Sequence, residues 1–310
     1  HQISISGGTD NTTYMASISH TREDGIVKDR GLKRTNISLN VTQVFNKWLT
    51  IGMSTQAIQK DYGGISAGIG NALRLSPYGE PNDENGDINF YPMDQTLYYH
   101  PLADSDATAD RMSRNIFIST FAEIQFPVEG LKFRTNFGYN YRNREIGEYY
   151  GRTTLTGQST NGYAHIENQN YWDYTWENVL SYDRTFGKHK VGATALFSVQ
   201  ETNTFLNEQS GESFVNDDSE YFNMAGAEKN KILNSSLTHT AMLSYMLRLN
   251  YAYDNRYLIT LTGRSDGYSA FGANNKDAFF PSAAVAWNMS QESFMEDAQD
   301  WLDMLKIRLS

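Results

Sequence analysis

The sequence predicts an all-β protein, an antiparallel transmembrane β-barrel present as an incomplete set of about twelve strands. Three observations predict it. Long runs alternate with a period of two, the connections alternate between short and long, and aromatic residues gather at both ends of the runs.

The period is clearest in two places. Leu131, Phe133, Thr135, Phe137, Tyr139 and Tyr141 alternate with Lys132, Arg134, Asn136, Gly138, Asn140 and Arg142. Leu243, Tyr245, Leu247, Leu249, Tyr251 and Tyr253 alternate with Ser244, Met246, Arg248, Asn250 and Ala252. Shorter versions occur at Ile37, Leu39 and Val41, and at Val191, Ala193, Ala195 and Phe197. Successive strand side chains point to opposite faces, so each run has one apolar and one polar face. In a barrel the apolar face meets lipid and the Arg, Asn, Lys and Ser face lines a wet lumen.

Strands are predicted over 1–7, 12–22, 34–45, 48–60, 113–127, 130–149, 163–184, 188–205, 236–254, 256–268, 278–289 and 303–310. Several exceed the roughly 5–6 residues usual in a soluble sandwich and suffice for the roughly 9–11 of a tilted membrane crossing. Links after the first, third, fifth, seventh and ninth strands are short, as at Phe45-Asn46-Lys47 and Asp254-Asn255-Arg256. Links after the even strands up to the tenth are long, the longest being 61–112 and 206–235. This parity gives one end tight turns and the other elaborated loops, the layout of an outer-membrane barrel. A Greek-key sandwich would break it. The link Gln291 to Leu302 reads as a short amphipathic helix on the short-turn side. Trp48, Tyr253, Tyr257 and Trp287 lie near short turns, and Tyr149, Tyr150, Tyr171, Trp172, Tyr174 and Trp176 lie towards the long loops. Two interfacial girdles are therefore expected.

Composition removes several functions. The 310 residues include no cysteine, which excludes disulfides, thiolate zinc sites and cysteine nucleophiles. The net charge of −10 argues against a general nucleic-acid binder, which needs a basic footprint. The longest apolar run, Ala283 to Trp287, is five residues, so no transmembrane helix of about 20 residues exists. There is no signal peptide or starting Met, and both ends look cut within strand-like runs, so the sequence reads as an internal fragment.

Catalytic motifs fail on context. Gly263-Arg264-Ser265-Asp266-Gly267 and Gly64-Ile65-Ser66-Ala67-Gly68 match a nucleophile elbow. That elbow needs a strand before it and a helix after it; one match leads into another strand and the other lies in a long loop. The acidic stretch Asn82 to Asp87 lacks the closing Glu of a calcium loop, and Asp104, Asp106 and Asp110 form a solvated cluster. The six histidines are dispersed, and the spread Lys28, Arg30, Lys33 and Arg34 is an ordinary polar loop. No catalytic residue, metal site or cofactor is expected. The better candidates are aromatic: Tyr98, Tyr99, Tyr149, Tyr150, Trp172 and Trp176, whose rings can stack on a sugar while a polar tip hydrogen-bonds.

Several ordered stretches carry a family resemblance. They are His1 to Gly8 with Tyr14 to Ser19, Arg34 to Asn40, Ala72 to Pro77 with Asp83 to Gly86, Arg264 to Gly272 with Phe279 to Ser282, and Leu305 to Ser310. Together they resemble the barrel region of TonB-dependent outer-membrane transporters of the SusC/RagA type, across essentially the whole chain. Tyr268-Ser269-Ala270 departs from the small residues usual there. The resemblance implies one partial barrel domain over 1–310, with the signal, plug and closing strands outside it. It also implies transport instead of catalysis, in the outer membrane of a Gram-negative bacterium. The implied partners are TonB, acting through the plug, a SusD-like surface lipoprotein lid, outer-membrane lipid, and an oligosaccharide or peptide cargo. Two alternatives stay open. One is a TonB-dependent receptor for an iron chelate or vitamin without a lid, and the other is a soluble all-β carbohydrate-binding or hydrolytic domain.

Overall fold

The computed structural model describes residues 1–27, 30–93, 95–272, 274–298 and 300–310; Lys28, of the loop spread noted above, and Gln299 lie outside them. The strands are β1 (Gln2–Gly8), β2 (Thr12–Asp24), β3 (Gly31–Asn46), β4 (Leu49–Asp61), β5 (Thr108–Gln125), β6 (Leu131–Tyr150), β7 (Tyr163–Phe186), β8 (His189–Glu212), β9 (Lys229–Tyr253), β10 (Tyr257–Tyr268), β11 (Asp277–Asn288) and β12 (Lys306–Leu309). They form one sheet in strict sequence order, every neighbouring pair antiparallel. The sheet is unclosed. Two short helices, α1 (Ile69–Ala72) and α2 (Leu155–Thr160), sit in the long loops.

Register makes the apolar face continuous. From β4 to β6, Ile51 faces Ala122 and Ala122 faces Thr135. From β6 to β8, Phe133 faces Leu180 and Leu180 faces Ala195. From β8 to β10, Ala193 faces Leu249 and Leu249 faces Leu261. On the same face Tyr245, Leu247, Leu261 and Val285 are each about half exposed. So much uncovered aliphatic and aromatic surface on a regular sheet is stable only against an apolar solvent. The opposite face carries Asn40, Ser54 and Ser119 in one row and Arg248, Thr194 and Ser181 in another.

Short turns hold one end. Gly130 has φ +84°, and a Cβ there would collide with the Asp183 carbonyl, so this turn needs glycine. The segment expected as a helix after β11 instead forms 3-10 turns over Met289–Gln291 and Ser293–Ala298. The link is too short for an α-helix to be stable by itself, and Glu292 pins its start. The Glu292 carboxylate accepts from the Tyr257 hydroxyl (2.6 Å), the Trp287 indole (3.0 Å) and Arg256 (3.0 Å). The Tyr257 bond, then that of Trp287, holds its pKa below the usual glutamate range.

The other end is extended beyond the predicted runs. β5 begins at Thr108, β8 continues to Glu212 and β9 begins at Lys229. These strands are longer than the roughly 9–11 residues of a crossing, so their loop-side ends stand clear of the bilayer. A small core sits on these extensions, formed by Tyr149, Ala164, Phe214 and Ala227 with Tyr221 and Met224 against it.

Candidate functional site

The long-loop end is stitched together by side chains far apart in sequence. The loop 151–162 is shaped by Thr154, wholly buried, whose hydroxyl donates to the Gly151 carbonyl (2.7 Å) and accepts from the Gly157 amide (2.9 Å) to cap α2. Asn161 at φ +57° and Gly162 at φ +90° end the helix in the left-handed region. Asp104 of the 62–107 loop accepts from the Thr156 amide (2.9 Å) and hydroxyl (3.0 Å), which ties that loop to α2. Arg152 donates to Asp217 and to the Phe214 carbonyl, and its Nε donates to Asn161 (2.8 Å). Thr108 donates to Glu220 (2.7 Å), and the Tyr221 hydroxyl donates to Asp110. Three loops thus form one fixed assembly.

Beneath the 62–107 loop lies a cavity of 230 Å³, lined by Ser66, Tyr99, Asp104, Arg111 and Tyr150 among others. Arg111 and Tyr150 come from β5 and β6 on the polar face, and Ser66, Tyr99 and Asp104 come from the loop folded over it. The Arg111 guanidinium donates twice to Glu148, at 2.9 and 2.5 Å, so both charges are neutralised by a fixed pair. The Tyr150 hydroxyl donates to the other Glu148 oxygen at 3.4 Å. Burial, then the Glu148 charge, pushes the Tyr150 phenol up to about 12, so it remains a donor at physiological pH. The site offers two phenols, a hydroxyl and a compensated ion pair, which suits hydrogen bonding and stacking of a polar solute.

The six aromatic candidates divide. Tyr99 and Tyr150 meet at this cavity. Tyr98 is adjacent but outside its lining, beneath the Arg74 guanidinium at 5.7 Å. Tyr149 points the other way from Tyr150 by strand alternation. It is buried edge-on against Phe214 (5.4 Å), and its hydroxyl donates to Asp217 at 2.7 Å. Trp172 and Trp176 pair with Tyr141 and Phe137 on the apolar face, away from the cavity. The expected upper girdle is narrower too: of its six members, Trp172, Tyr174 and Trp176 share the open apolar face, while Tyr150 and Tyr171 lie on the polar face and Tyr149 is covered. Sequence reasoning missed Arg111 and Glu148. Their alternation with Met112 and Gly147 could have placed them on the polar face, but not their pairing. Asp83 and its neighbours form a turn in which Asp83 accepts from the Asn85 and Asp87 amides, both at 2.9 Å. Among the described residues no cluster of three or more acidic or histidine side chains could hold a metal.

No family model matches the chain. Curated relatives do match along it. TonB-dependent receptor P3 of Formosa agariphila is 32% identical over 96% of this chain and 31% of its own length. TonB-dependent receptor SusC of Bacteroides thetaiotaomicron is 25% identical over all of this chain and 33% of its own length. The chain therefore spans about a third of these relatives. Among solved structures, the RagAB peptide transporter superposes with a TM-score of 0.80 at 22% identity, covering 99% of this chain and 36% of the other. The ferric citrate transporter FecA superposes with a TM-score of 0.56 at 13% identity, covering 93% and 38%. With the two-faced antiparallel wall, these likenesses define the class: a stretch of the barrel of a TonB-dependent receptor. Within that class the likeness extends to SusC along the whole chain in sequence and to the RagAB transporter in fold.

Proposed function

We propose that the protein containing this chain imports oligosaccharides or peptides across the outer membrane of a Gram-negative bacterium by TonB-dependent active transport, with a SusD-like lipoprotein as lid. The observation that carries the reading is the likeness along the whole chain to SusC and, in fold, to a peptide transporter. The loop assembly supports it. A rigid platform of three interlocked loops suits a docking lid, and the Tyr99–Tyr150 cavity suits first contact with a polar, uncharged portion of the cargo. In this reading the chain contributes the lipid-facing wall, the polar lumen wall and part of the external vestibule, and it performs no chemistry on the cargo.

The test is to isolate the full-length protein from the outer membrane in mild detergent and identify by mass spectrometry what accompanies it. A stoichiometric surface lipoprotein with bound glycan or peptide is expected. Tyr150→Ala should then weaken cargo binding about tenfold, the effect of losing one stacking ring and its hydroxyl. A barrel without a lipoprotein would favour the second reading, a chelate receptor, which the weaker likeness to the ferric citrate transporter keeps in view. Absence from the membrane fraction would contradict both.

A further inference from the structure

The short-turn end carries a feature that transport does not use. The β3–β4 turn is built to display Lys47 and Trp48. The Asn46 side chain accepts from the Trp48 and Leu49 amides, both at 2.9 Å, which fixes the turn. Just before it the β3–β4 register shifts between Val44 and Asn46, leaving Phe45 as a bulge residue without a partner on β4. Bulges re-aim side chains at the rims of barrels, and Phe45 is 59% exposed. Next to this turn the Gln125 amide donates to the Trp48 carbonyl at 2.9 Å, and Phe126 and Pro127 follow directly after β5. Lys47, Trp48, Ile124, Gln125, Phe126 and Pro127 enclose a groove of 570 Å³.

The groove's chemistry is two-part. Its floor continues the apolar face, because Ile124 pairs with Leu49 and with Phe133 on that face. Its lip carries an ammonium group. Among the described residues Lys47 has no ion-pair or hydrogen-bond partner, and the acid of the neighbouring turn, Glu129, is taken by Arg184 at 3.2 Å. At another short turn Lys188 is paired with Asp254 at 3.0 Å. On a chain of net charge −10, a free cation held beside exposed aromatics selects an anion, and the apolar floor selects one with a hydrocarbon tail.

We propose that this groove binds an anionic phospholipid of the periplasmic leaflet. Lys47 takes the phosphate, Trp48 and Phe126 flank the glycerol region, and an acyl chain runs along Ile124 and Leu49. The proposal rests on the outer-membrane reading given above.

The experiment uses the full-length protein in mild detergent. Phosphatidylglycerol or phosphatidylcholine is titrated in, and retained lipids are counted by native mass spectrometry. The wild type should retain phosphatidylglycerol in preference to phosphatidylcholine. Lys47→Gln should weaken that retention about fivefold, the worth of one interfacial lysine, and Lys47→Arg should preserve it. Trp48→Ala should weaken retention of both lipids. Lys33→Gln, at the opposite end of the wall, is the control. Equal retention of the two lipids by the wild type would overturn the proposal. So would unchanged retention in Lys47→Gln, or an equal loss in Lys33→Gln. A full-length protein recovered outside the membrane fraction would overturn the outer-membrane reading itself, a result distinct from loss of lipid preference.

Discussion

Removing one hydroxyl from Tyr149 should loosen the external loops without touching the wall. Tyr149 is 3% exposed, its ring lies edge-on to Phe214 at 5.4 Å, and its hydroxyl donates to Asp217 at 2.7 Å. Burial and the Asp217 carboxylate both push the phenol above its ordinary pKa, so it donates throughout the physiological range. A hydrogen bond to a charged acceptor contributes about 1.5–3 kcal/mol. Asp217 keeps Arg152 as a partner in Tyr149→Phe, so the cost belongs at the low end, about 1.5 kcal/mol. Tyr149→Ala also empties the space between Phe214 and Ala164, which raises the cost to about 3–5 kcal/mol. The assay is amide hydrogen exchange on the full-length protein in detergent, read at two reporters of the loop junction. These are Ser213, whose amide donates to Gly162, and Phe214, whose amide donates to Asn161, both at 3.0 Å. When local opening governs exchange, about 1.5 kcal/mol accelerates these amides roughly tenfold, and the alanine variant accelerates them by more than about a hundredfold. Amides of Leu247 and Leu249 in β9 should not change. Unaltered exchange at Ser213 and Phe214 in Tyr149→Ala, or equal loosening of β9, would refute the argument.

Other expectations follow from particular contacts. Gly130→Ala forces a side chain against the Asp183 carbonyl at positive φ, so it should cost at least about 1–3 kcal/mol and reduce the heat-resistant folded band on unheated gels. Leu247→Arg places a charge on the apolar face and should cost about 2–4 kcal/mol if that position lies at the bilayer midplane, whereas a charge at Met246 should be tolerated. Glu292 has a depressed pKa, so its contribution is complete above the ordinary glutamate range and is lost only as pH falls through its lower folded value. Protease sensitivity of the 289–305 link should therefore rise only as pH falls below the ordinary glutamate range, and Glu292→Gln should make it high and independent of pH across that window. The 310-residue chain expressed alone should aggregate, because its sheet is open and its apolar face is uncovered; recovery as a monomer in buffer without detergent would count against the barrel.

Much of the wall was legible in the sequence because alternation and turn chemistry are local. Each of the twelve predicted runs contains a strand, three of them extended at the long-loop end, and the short–long parity holds through the tenth link. What was missed has physical causes. β9 begins at Lys229 and not at the predicted 236, since in Lys229 to Ser235 the two aliphatics, Ile232 and Leu233, are adjacent and so do not alternate, and the segment is held by backbone pairing with β8. The loop assembly depends on pairs such as Asp104 with Thr156 and Asp217 with Arg152, whose separation along the chain leaves no local trace. The helix expected after β11 yielded to 3-10 turns because Glu292 is drawn back to Tyr257 and Trp287. Tyr149 and Tyr150 show what alternation could have given: adjacent residues with opposite fates, one buried under a loop and the other lining the cavity. The same logic separates Trp172 and Trp176 from the polar face through their partners Tyr141 and Phe137.

The central claim is that this sheet is a barrel wall with lipid on one face and water on the other. The most direct test is a nitroxide scan of β9 from Leu243 to Asn250 in the full-length protein, using single cysteines in a cysteine-free background and reconstituted in lipid. Oxygen accessibility should peak at 243, 245, 247 and 249, and accessibility to a water-soluble relaxant should peak at 244, 246, 248 and 250. Water accessibility on both faces, or the opposite phase, would contradict the account.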